Sequence, residues 1–307
     1  MATKLTELTP LQIKGSAHKP TLIAAKPVIT VREALKDMAK HNITSLPIYS
    51  HDSDNIVTIV NLIDVLNYII KEAVADEKLP NYLDSEKSHN LNNPIEVVMP
   101  LDSEQESYRM FKSDANEPIL KTLEAFSKNV HRSLVIDYLN KVPPYILTQT
   151  DIIRYAHAHP EVLPGIDLNA SLESFGLSGR DREIVIGRDN ETALNVYRRM
   201  AERNLMGIPI INHNTKQLVG NLSVSDLRGL DYKSINNLVL PVLKFLATLP
   251  NADAILNPFT VKKDSSLGEA LKLITESHLH RLWIVDDEKK VIDVLSLSDL
   301  IRLFTKV

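Results

Sequence analysis

The sequence predicts an α/β protein made of four copies of a helix–strand–strand–helix unit, and two observations lead to this prediction. The first is a repeated order of one amphipathic segment followed by two short apolar runs, which indicates a repeat architecture. The second is an aspartate that closes every unit. It follows the residue before the first strand by 20 positions in three units and by 19 in the last. The closing aspartates are Asp64, Asp151, Asp226 and Asp299.

The opening segment of each unit places its apolar side chains at helical spacing, so that they share one face. Capping-box patterns, Thr30 with Glu33 and Ser266 with Glu269, mark the start of the helix in the first and fourth units. The apolar positions are Val31, Ala34, Leu35 and Met38, then Ile119, Leu123 and Phe126, then Ala193, Val196, Tyr197 and Met200, and finally Leu267, Ala270, Leu271 and Ile274.

The strands are short apolar runs that read LPIY, SLVID, IPII and LWIVD, and Asp- and Asn-rich turns follow three of them. One unit is too small to bury both faces of its sheet, so the repeats are expected to pair, first with second and third with fourth. The predicted organisation is a tail at 1–20, repeats at 21–70, 111–158, 181–232 and 255–307, an insertion at 71–110, a linker at 159–180 and a connecting helix at 233–254.

Composition narrows the function classes. The 307 residues carry 35 basic and 39 acidic side chains, a net charge of −4, so no general attraction to nucleic acid or anionic membrane is expected. The absence of cysteine excludes disulfides, thiolate nucleophiles and cysteine–zinc sites. The first 20 residues lack the apolar core of a secretory signal, and we expect a cytoplasmic or nuclear protein.

A Ser/Thr-x-x-Asp motif ends three of the repeats, and Asn61-x-x-Asp64 ends the first. One interpretation is helix capping, in which the hydroxyl or amide caps and the acid favours the helix dipole. The other is ligand binding, in which the carboxylate accepts two hydrogen bonds from a vicinal diol such as that of ribose. The motif hydroxyls are those of Thr148, Ser223 and Ser296.

Two His-Arg pairs, His131-Arg132 and His280-Arg281, stand immediately before the first strand of the second and fourth repeats. A guanidinium fork beside an imidazole suits a phosphate group. A solvated strand edge with a satisfied histidine is the alternative. The first and third repeats carry Thr44-Ser45 and Met206-Gly207 instead, so each predicted pair of repeats would supply one His-Arg and two acids.

The segments VHRSLVID, LHRLWIVD, VGNLSVSDLRGL and VLSLSDLI resemble the CBS (Bateman) repeats of the gamma regulatory subunit of AMP-activated/SNF1-type protein kinases. The resemblance runs from about residue 20 to the end. It implies four CBS repeats forming two Bateman modules packed as a flat disc, with AMP, ADP or ATP in central clefts. The residues it implies are the ribose acids Asp64, Asp151, Asp226 and Asp299, the hydroxyls of Thr148, Ser223 and Ser296, and the phosphate ligands His131, Arg132, His280 and Arg281.

The same resemblance implies a non-catalytic protein whose partners are a kinase catalytic alpha subunit and a scaffolding beta subunit. The sequence departs from the family at Ser45, where the family usually has arginine, and at Thr150-Asp151, where basic residues are common. These departures leave open a stand-alone CBS regulator with weak or no nucleotide binding. An enzyme is disfavoured, because no P-loop, GxGxxG, HExxH or GxSxG pattern occurs, and no metal site is predicted.

Three arginines follow a closing acid by two or three positions, Arg154, Arg228 and Arg302. They are interpreted either as solvated helix charges or as groups that reach a phosphate across a cleft. Trp283 is expected in the core of the fourth repeat.

Overall fold

The structure, a computed structural model, describes residues 3–16, 22–75, 90–99, 110–230, 234–250 and 252–306. Parts of the predicted tail and of the predicted insertion at 71–110 lie outside these ranges. The described α-helices are α1 Pro10–Ser16, α2 Val31–Lys40, α3 Leu62–Ala75, α4 Leu120–Ser127, α5 Gln149–Ala158, α6 Ala193–Glu202, α7 Val242–Ala247, α8 Ala252–Leu256, α9 Leu267–Glu276 and α10 Leu297–Phe304. None of them is long and apolar enough to cross a membrane.

The described strands form four small sheets, one in each repeat, which confirms the α/β class. In every repeat two of the strands make the predicted antiparallel hairpin. The last three repeats add a short strand before the opening helix, parallel to the first hairpin strand, which the sequence did not predict. The strands are β1 Ser45–Tyr49, β2 Ile56–Asn61, β3 Phe111–Asp114, β4 Arg132–Ile136, β5 Tyr145–Thr148, β6 Gly187–Arg188, β7 Gly207–Ile211, β8 Leu218–Ser223, β9 Thr260–Val261, β10 Arg281–Val285 and β11 Val291–Ser296.

The opening helices bury the predicted apolar faces, and Trp283 is buried in β10 as expected. Thr30 and Glu33 form a complete capping box at the start of α2. At α9 the Ser266 hydroxyl accepts a hydrogen bond from the Glu269 N–H, so the serine half of the predicted box is present. Sequence patterning and observed structure agree here because these helices are amphipathic and locally capped.

The predicted closing helix of the third repeat is only a single 3₁₀ turn. Only a 3₁₀ turn, Val224–Leu227, follows β8. Gly229, at φ 74°, adopts the left-handed conformation that ends helices, and its N–H donates to the carbonyl of Leu35 in the first repeat at 3.3 Å. A tertiary hydrogen bond therefore takes the place of the next helical turn.

The chain divides into two compact units. Unit 1 comprises Met1–Leu22, Ser107–Ile184 and Phe259–Val307, and thus holds the second and fourth repeats. Unit 2 comprises Ile23–Glu106 and Val185–Pro258, and holds the first and third. This grouping differs from the predicted pairing of neighbours in sequence. The grouping of repeats follows from helix packing, because apolar helix faces from alternate repeats meet in each unit.

The core of unit 1 lies where α4 and α5 of the second repeat meet α9 and α10 of the fourth. Phe126 and Phe304 are fully buried there. Gln149 joins the two repeats, because its buried Nε2 donates to the carbonyls of Phe126 and Val130 and to the Ser298 hydroxyl at 2.9 Å. The buried side chains of Leu5 and Ile13 belong to the same core, so the described part of the predicted tail is packed.

The core of unit 2 is built from α2 and α3 of the first repeat with α6 and α7 around the third. Tyr197 and Phe245 are buried and meet edge to face, with ring centroids 6.0 Å apart. The Tyr197 hydroxyl donates to the carbonyl of Ser223 at 3.2 Å, which ties α6 to the end of β8. This hydrogen bond anchors the strand–helix junction that carries Asp226 to the core of unit 2.

Candidate functional site

The four repeat-end aspartates all cap their own strand–helix junctions. In each, Oδ2 accepts the backbone N–H three residues earlier, at 2.8 Å in Asp64, 2.7 Å in Asp151, 2.8 Å in Asp226 and 2.9 Å in Asp299. The hydroxyls of Thr148 and Ser296 donate to the same oxygens, each at 2.7 Å. The capping interpretation is confirmed for the three hydroxyl motifs and for all four acids, but not for the Asn61 amide, whose Oδ1 accepts no hydrogen bond from the described residues. It leaves the second carboxylate oxygen of each acid to other partners. The ribose role of these acids stays a prediction.

The hairpin register places each His-Arg pair beside a capping motif. Arg132 is the cross-strand partner of Thr148, and Arg281 is the partner of Ser296. The corresponding partners in the other repeats are Ser45 with Asn61 and Gly207 with Ser223. The second strand of each hairpin thus leads into the capping acid. The residue opposite, on the first strand, determines whether a guanidinium lies beside it.

Unit 1 brings the two His-Arg pairs together. Burial, the largest cause, and the positive charges of Arg132, Arg281 and His280 together lower the pKa of His131 to about 4. Two of these charges come from the fourth repeat, so they lie close enough to act on a side chain of the second. We call His131, Arg132, His280 and Arg281 the basic cluster.

The basic cluster combines two features that favour anion binding. Arg132 is buried, and Arg281 is half-buried, so their charges are less screened than those of surface arginines. His131 is neutral at pH 7, since its pKa lies near 4. A phosphate would meet two guanidinium forks and an imidazole whose pKa its negative charge raises.

Unit 2 has the capping acids without the basic cluster. Asp64 and Asp226 lie in it, while Thr44, Ser45, Met206 and Gly207 occupy the positions of the His-Arg pairs. The prediction of one His-Arg for every two acids is therefore wrong for the compact units. Both pairs belong to unit 1, because the second repeat packs with the fourth.

Arg180 and Arg182 contact the acids of the fourth repeat, which sequence patterning did not single out. Arg180 Nη1 lies 2.7 Å from Asp299 Oδ1, and its Nε lies 3.2 Å from Oδ2 of Asp293. Arg182 Nε lies 2.8 Å from Asp293 Oδ1. The sequence carried one signal, an acid inside the apolar strand VIDVLS, where a buried charge needs a partner.

The arginines of the closing segments connect repeats within a unit. Arg154 contacts the His278 imidazole, and Arg228 contacts the Asn42 side chain. Arg302 Nη2 donates to the carbonyl of Ser127 at 2.8 Å. Each contact lies at the end of the partner repeat's opening helix. These side chains are thus not purely solvated charges, and their reach to a phosphate stays a prediction.

No group of three or more His, Asp or Glu suited to a metal ion occurs among the described residues.

The CBS-domain family model matches residues 16–71 and 253–306, which cover the first and fourth predicted repeats. Protein SDS23 of Eremothecium gossypii is 23% identical over 297 residues, covering 90% of this chain and 59% of the relative. The 5'-AMP-activated protein kinase subunit gamma of Dictyostelium discoideum is 24% identical over 289 residues, covering 89% and 48%. The chain thus spans about half to three-fifths of the length of these two relatives.

A shorter plant relative and a solved structure complete the comparison. The SNF1-related protein kinase regulatory subunit gamma-like PV42a of Arabidopsis thaliana is 23% identical, covering 80% of this chain and 74% of the relative. A protein of Methanocaldococcus jannaschii, described as an archaeal homologue of γ-AMPK, shares the fold with a TM-score of 0.72 and 19% identity, over 97% of this chain and 100% of that one. The family match shows CBS-domain sequence at residues 16–71 and 253–306, and the chain resembles the gamma subunits of AMP-activated protein kinases.

Proposed function

We propose that the chain is a non-catalytic regulatory subunit of an SNF1/AMPK-type serine/threonine kinase complex and that it senses adenine nucleotides. The observation that supports this most is the meeting of two His-Arg pairs in unit 1. A ribonucleotide carries both a phosphate and a vicinal diol, which match the basic cluster and the adjoining capping acids. AMP, ADP and ATP are the proposed ligands.

The proposed binding step uses the electrostatics of the basic cluster. Arg132 and Arg281 take the phosphate oxygens, and the negative charge raises the pKa of His131 from its low value. AMP, ADP and ATP differ in their number of phosphate groups and therefore in the negative charge that they bring to the basic cluster. Regulation requires that two conformations of the protein bind the ligand with different affinity, and this charge difference between AMP and ATP can supply it.

Relatives support the kinase assembly as a proposal. Two of them are named as gamma or gamma-like subunits of AMP-activated or SNF1-related kinases. We propose a catalytic alpha subunit and a scaffolding beta subunit as partners. Coexpression with such subunits is expected to yield one stable complex on size exclusion. A chain that elutes alone under these conditions would contradict the kinase part of the proposal.

Calorimetry with AMP, ADP and ATP tests the ligand. We expect at least one nucleotide to bind with a Kd near micromolar, roughly −8 kcal/mol. Arg281→Ala is expected to weaken binding about tenfold or more, as for a charged hydrogen bond of about 1.5–3 kcal/mol. Arg199→Ala is the matched control, because Arg199 pairs with Glu191 in unit 2. Equal affinities of wild type and Arg281→Ala would refute the proposed site.

The second candidate is a stand-alone CBS regulator with weak or no nucleotide binding. Several relatives are SDS23 proteins, and unit 2 lacks His-Arg pairs at the two predicted positions. This candidate predicts no saturable heat with any adenine nucleotide and no complex with alpha and beta subunits. Turnover of ATP or AMP by the pure chain is expected under neither candidate.

A further inference from the structure

An ion network joins the stretch after the second repeat to the last hairpin of the fourth. Arg180 contributes its backbone N–H to Asp293 Oδ2 at 3.1 Å, its Nε to the same carboxylate and its Nη1 to Asp299. Arg182 reaches Asp293 as well, and both guanidiniums donate to the carbonyl of Val294. Two arginines therefore share two buried acids and one backbone carbonyl within unit 1.

Asp293 is the unusual member of this network. It lies three residues before the capping serine of its hairpin, where the other repeats have Thr58, Tyr145 and Gly220. Its side chain is fully buried. Burial raises the pKa of Asp293, but hydrogen bonds from Arg180 and backbone N–H groups outweigh it and leave the pKa below the usual value. An ionised, buried acid in a strand requires a cation, and Arg180 supplies it.

The network also occupies the carboxylate of Asp299. Its Oδ2 accepts the N–H and the hydroxyl of Ser296. Its Oδ1 accepts Arg180 Nη1 at 2.7 Å and Arg302 Nη1 at 3.3 Å. A vicinal diol needs to donate two hydrogen bonds to this group. The guanidinium of Arg180 lies where one of these donors would have to be, so the diol and Arg180 compete for the same oxygen.

We propose that Arg180 is an internal occupant of the fourth repeat's ligand subsite and closes it to ribonucleotides that carry a vicinal diol and a phosphate. Asp293 holds it in place. This inference rests on the proposed function, because it takes the capping acids to be diol acceptors. The second and fourth repeats of unit 1 then differ in whether they accept a ligand, and Arg180 determines how many ligands the unit binds.

Arg180 lies in the stretch of chain that leads from unit 1 into unit 2. Arg180 and Arg182 precede Ile184, the last residue of unit 1 before the chain enters unit 2 at Val185. A ligand that enters the subsite must move the guanidinium away and release this connecting stretch. Leaving Asp293 without its cation is costly, so the subsite is expected to stay closed to AMP in the wild type.

A purely structural role is the competing explanation. In that case the network fixes the connecting stretch to the last hairpin, and removing Arg180 loosens the stretch without creating a site. The two explanations differ in one measurable quantity, the number of AMP molecules bound per chain.

The test compares wild type with Arg180→Ala and Asp293→Asn, using AMP as the probe. Arg199→Ala is the control, since it removes a paired arginine from unit 2. Native mass spectrometry counts bound AMP, and calorimetry gives the affinity. Arg180→Ala is expected to bind one AMP more than wild type. Asp293→Asn is expected to show the same extra site with weaker apparent affinity, because a loosened Arg180 still competes. The control is expected to match wild type.

The outcomes separate this inference from the proposed function. A folded Arg180→Ala chain, checked by circular dichroism, that binds no more AMP than wild type overturns the inference. If wild type binds AMP in that experiment and Arg281→Ala loses it, the proposed function stands alone. If wild type binds none and Arg180→Ala binds one, the inference stands and the wild-type sensor falls. Should Arg180→Ala fail to fold, the count for Asp293→Asn decides.

Discussion

Unit 1 and unit 2 share one construction and differ in charge. Each packs two repeats through helices, and each repeat ends on an acid that caps its own strand–helix junction. Only in unit 1 do His-Arg pairs stand across the hairpin from the capping motif. Only the fourth repeat has an acid three residues before its capping residue. The scaffold and the charge of each unit are therefore set at different positions in the sequence.

The capping acids recur in both units because each one forms its hydrogen bond within its own repeat. An acid that accepts the N–H three residues earlier stabilises the junction whether or not a ligand is present. The residue before the first hairpin strand is partly exposed in three repeats and exposed at His280 in the fourth, so it is not fixed by the capping motif.

The difference in charge between the two units is expected to have its largest effect on nucleotide binding. The double variant Arg132→Ala/Arg281→Ala removes two charged contacts, which together are expected to cost about 3–6 kcal/mol of nucleotide binding. Calorimetry with ATP or AMP should show affinity reduced at least a hundredfold. The matched unit 2 variant, Ser45→Ala/Arg199→Ala, should bind as wild type does. Equal losses in both variants would contradict the difference between the units.

His131 makes the stability of unit 1 sensitive to acid. Its folded pKa is about 4, against about 6.5 in the unfolded chain, so the unfolded state takes up the proton first as pH falls. The free energy of unfolding is expected to drop by up to about 3 kcal/mol between pH 6.5 and pH 4 from this group. Urea unfolding across this range should show a shallower decline in His131→Asn. Parallel pH profiles would show that the histidine titrates normally.

Sulfate binding gives a second test of His131 in the basic cluster, because the charge of sulfate does not change in this pH range. Bound sulfate should raise the pKa of His131, so its stabilising effect is expected to be greater at pH 5 than at pH 7.5. Thermal unfolding with and without sulfate measures it. His131→Asn is expected to remove the difference between the two pH values, and a sulfate effect independent of pH in wild type would argue against the basic cluster as the site.

The ion network around the fully buried Asp293 should matter more for stability than the partly exposed Arg199–Glu191 pair of unit 2. Asp293→Asn leaves Arg180 and Arg182 with a weaker acceptor and is expected to cost about 2 kcal/mol of unfolding free energy at pH 7. Glu191→Gln, in a half-exposed pair with Arg199, is expected to cost about 1 kcal/mol or less. The Asp293 contribution is present above the unfolded pKa and is lost as pH falls through the lowered folded value. Equal costs in urea unfolding at pH 7 would contradict the ranking.

The arginine contacts between repeats are expected to give the smallest effects. Arg154→Ala in unit 1 and Arg228→Ala in unit 2 each remove a side-chain contact to the partner repeat. Each should lower the free energy of unfolding by about 0.5–1 kcal/mol, since exposed polar contacts contribute little. Nucleotide affinity should not change. A tenfold loss of affinity in Arg154→Ala would show that this arginine reaches the ligand.

Local patterns account for the parts of the fold that the sequence predicted. Val31, Ala34, Leu35 and Met38 are buried as the helical spacing required, and the hairpin of every repeat formed where apolar runs flank turns. The short parallel strands, such as Thr260–Val261, gave no signal. Two residues are too few to show a period, and such a strand exists only because a neighbour offers an edge.

The sequence by itself determined the repeats, their capping acids and the position of each His-Arg pair, because these depend on spacing within about 20 residues. Tertiary structure decided that the second repeat packs with the fourth, that His131 lies near Arg281, and that Arg180 covers Asp299. Those contacts join residues more than a hundred positions apart. These contacts depend on helix packing and on the pairing of buried charges. Neither produces a periodic pattern in the sequence.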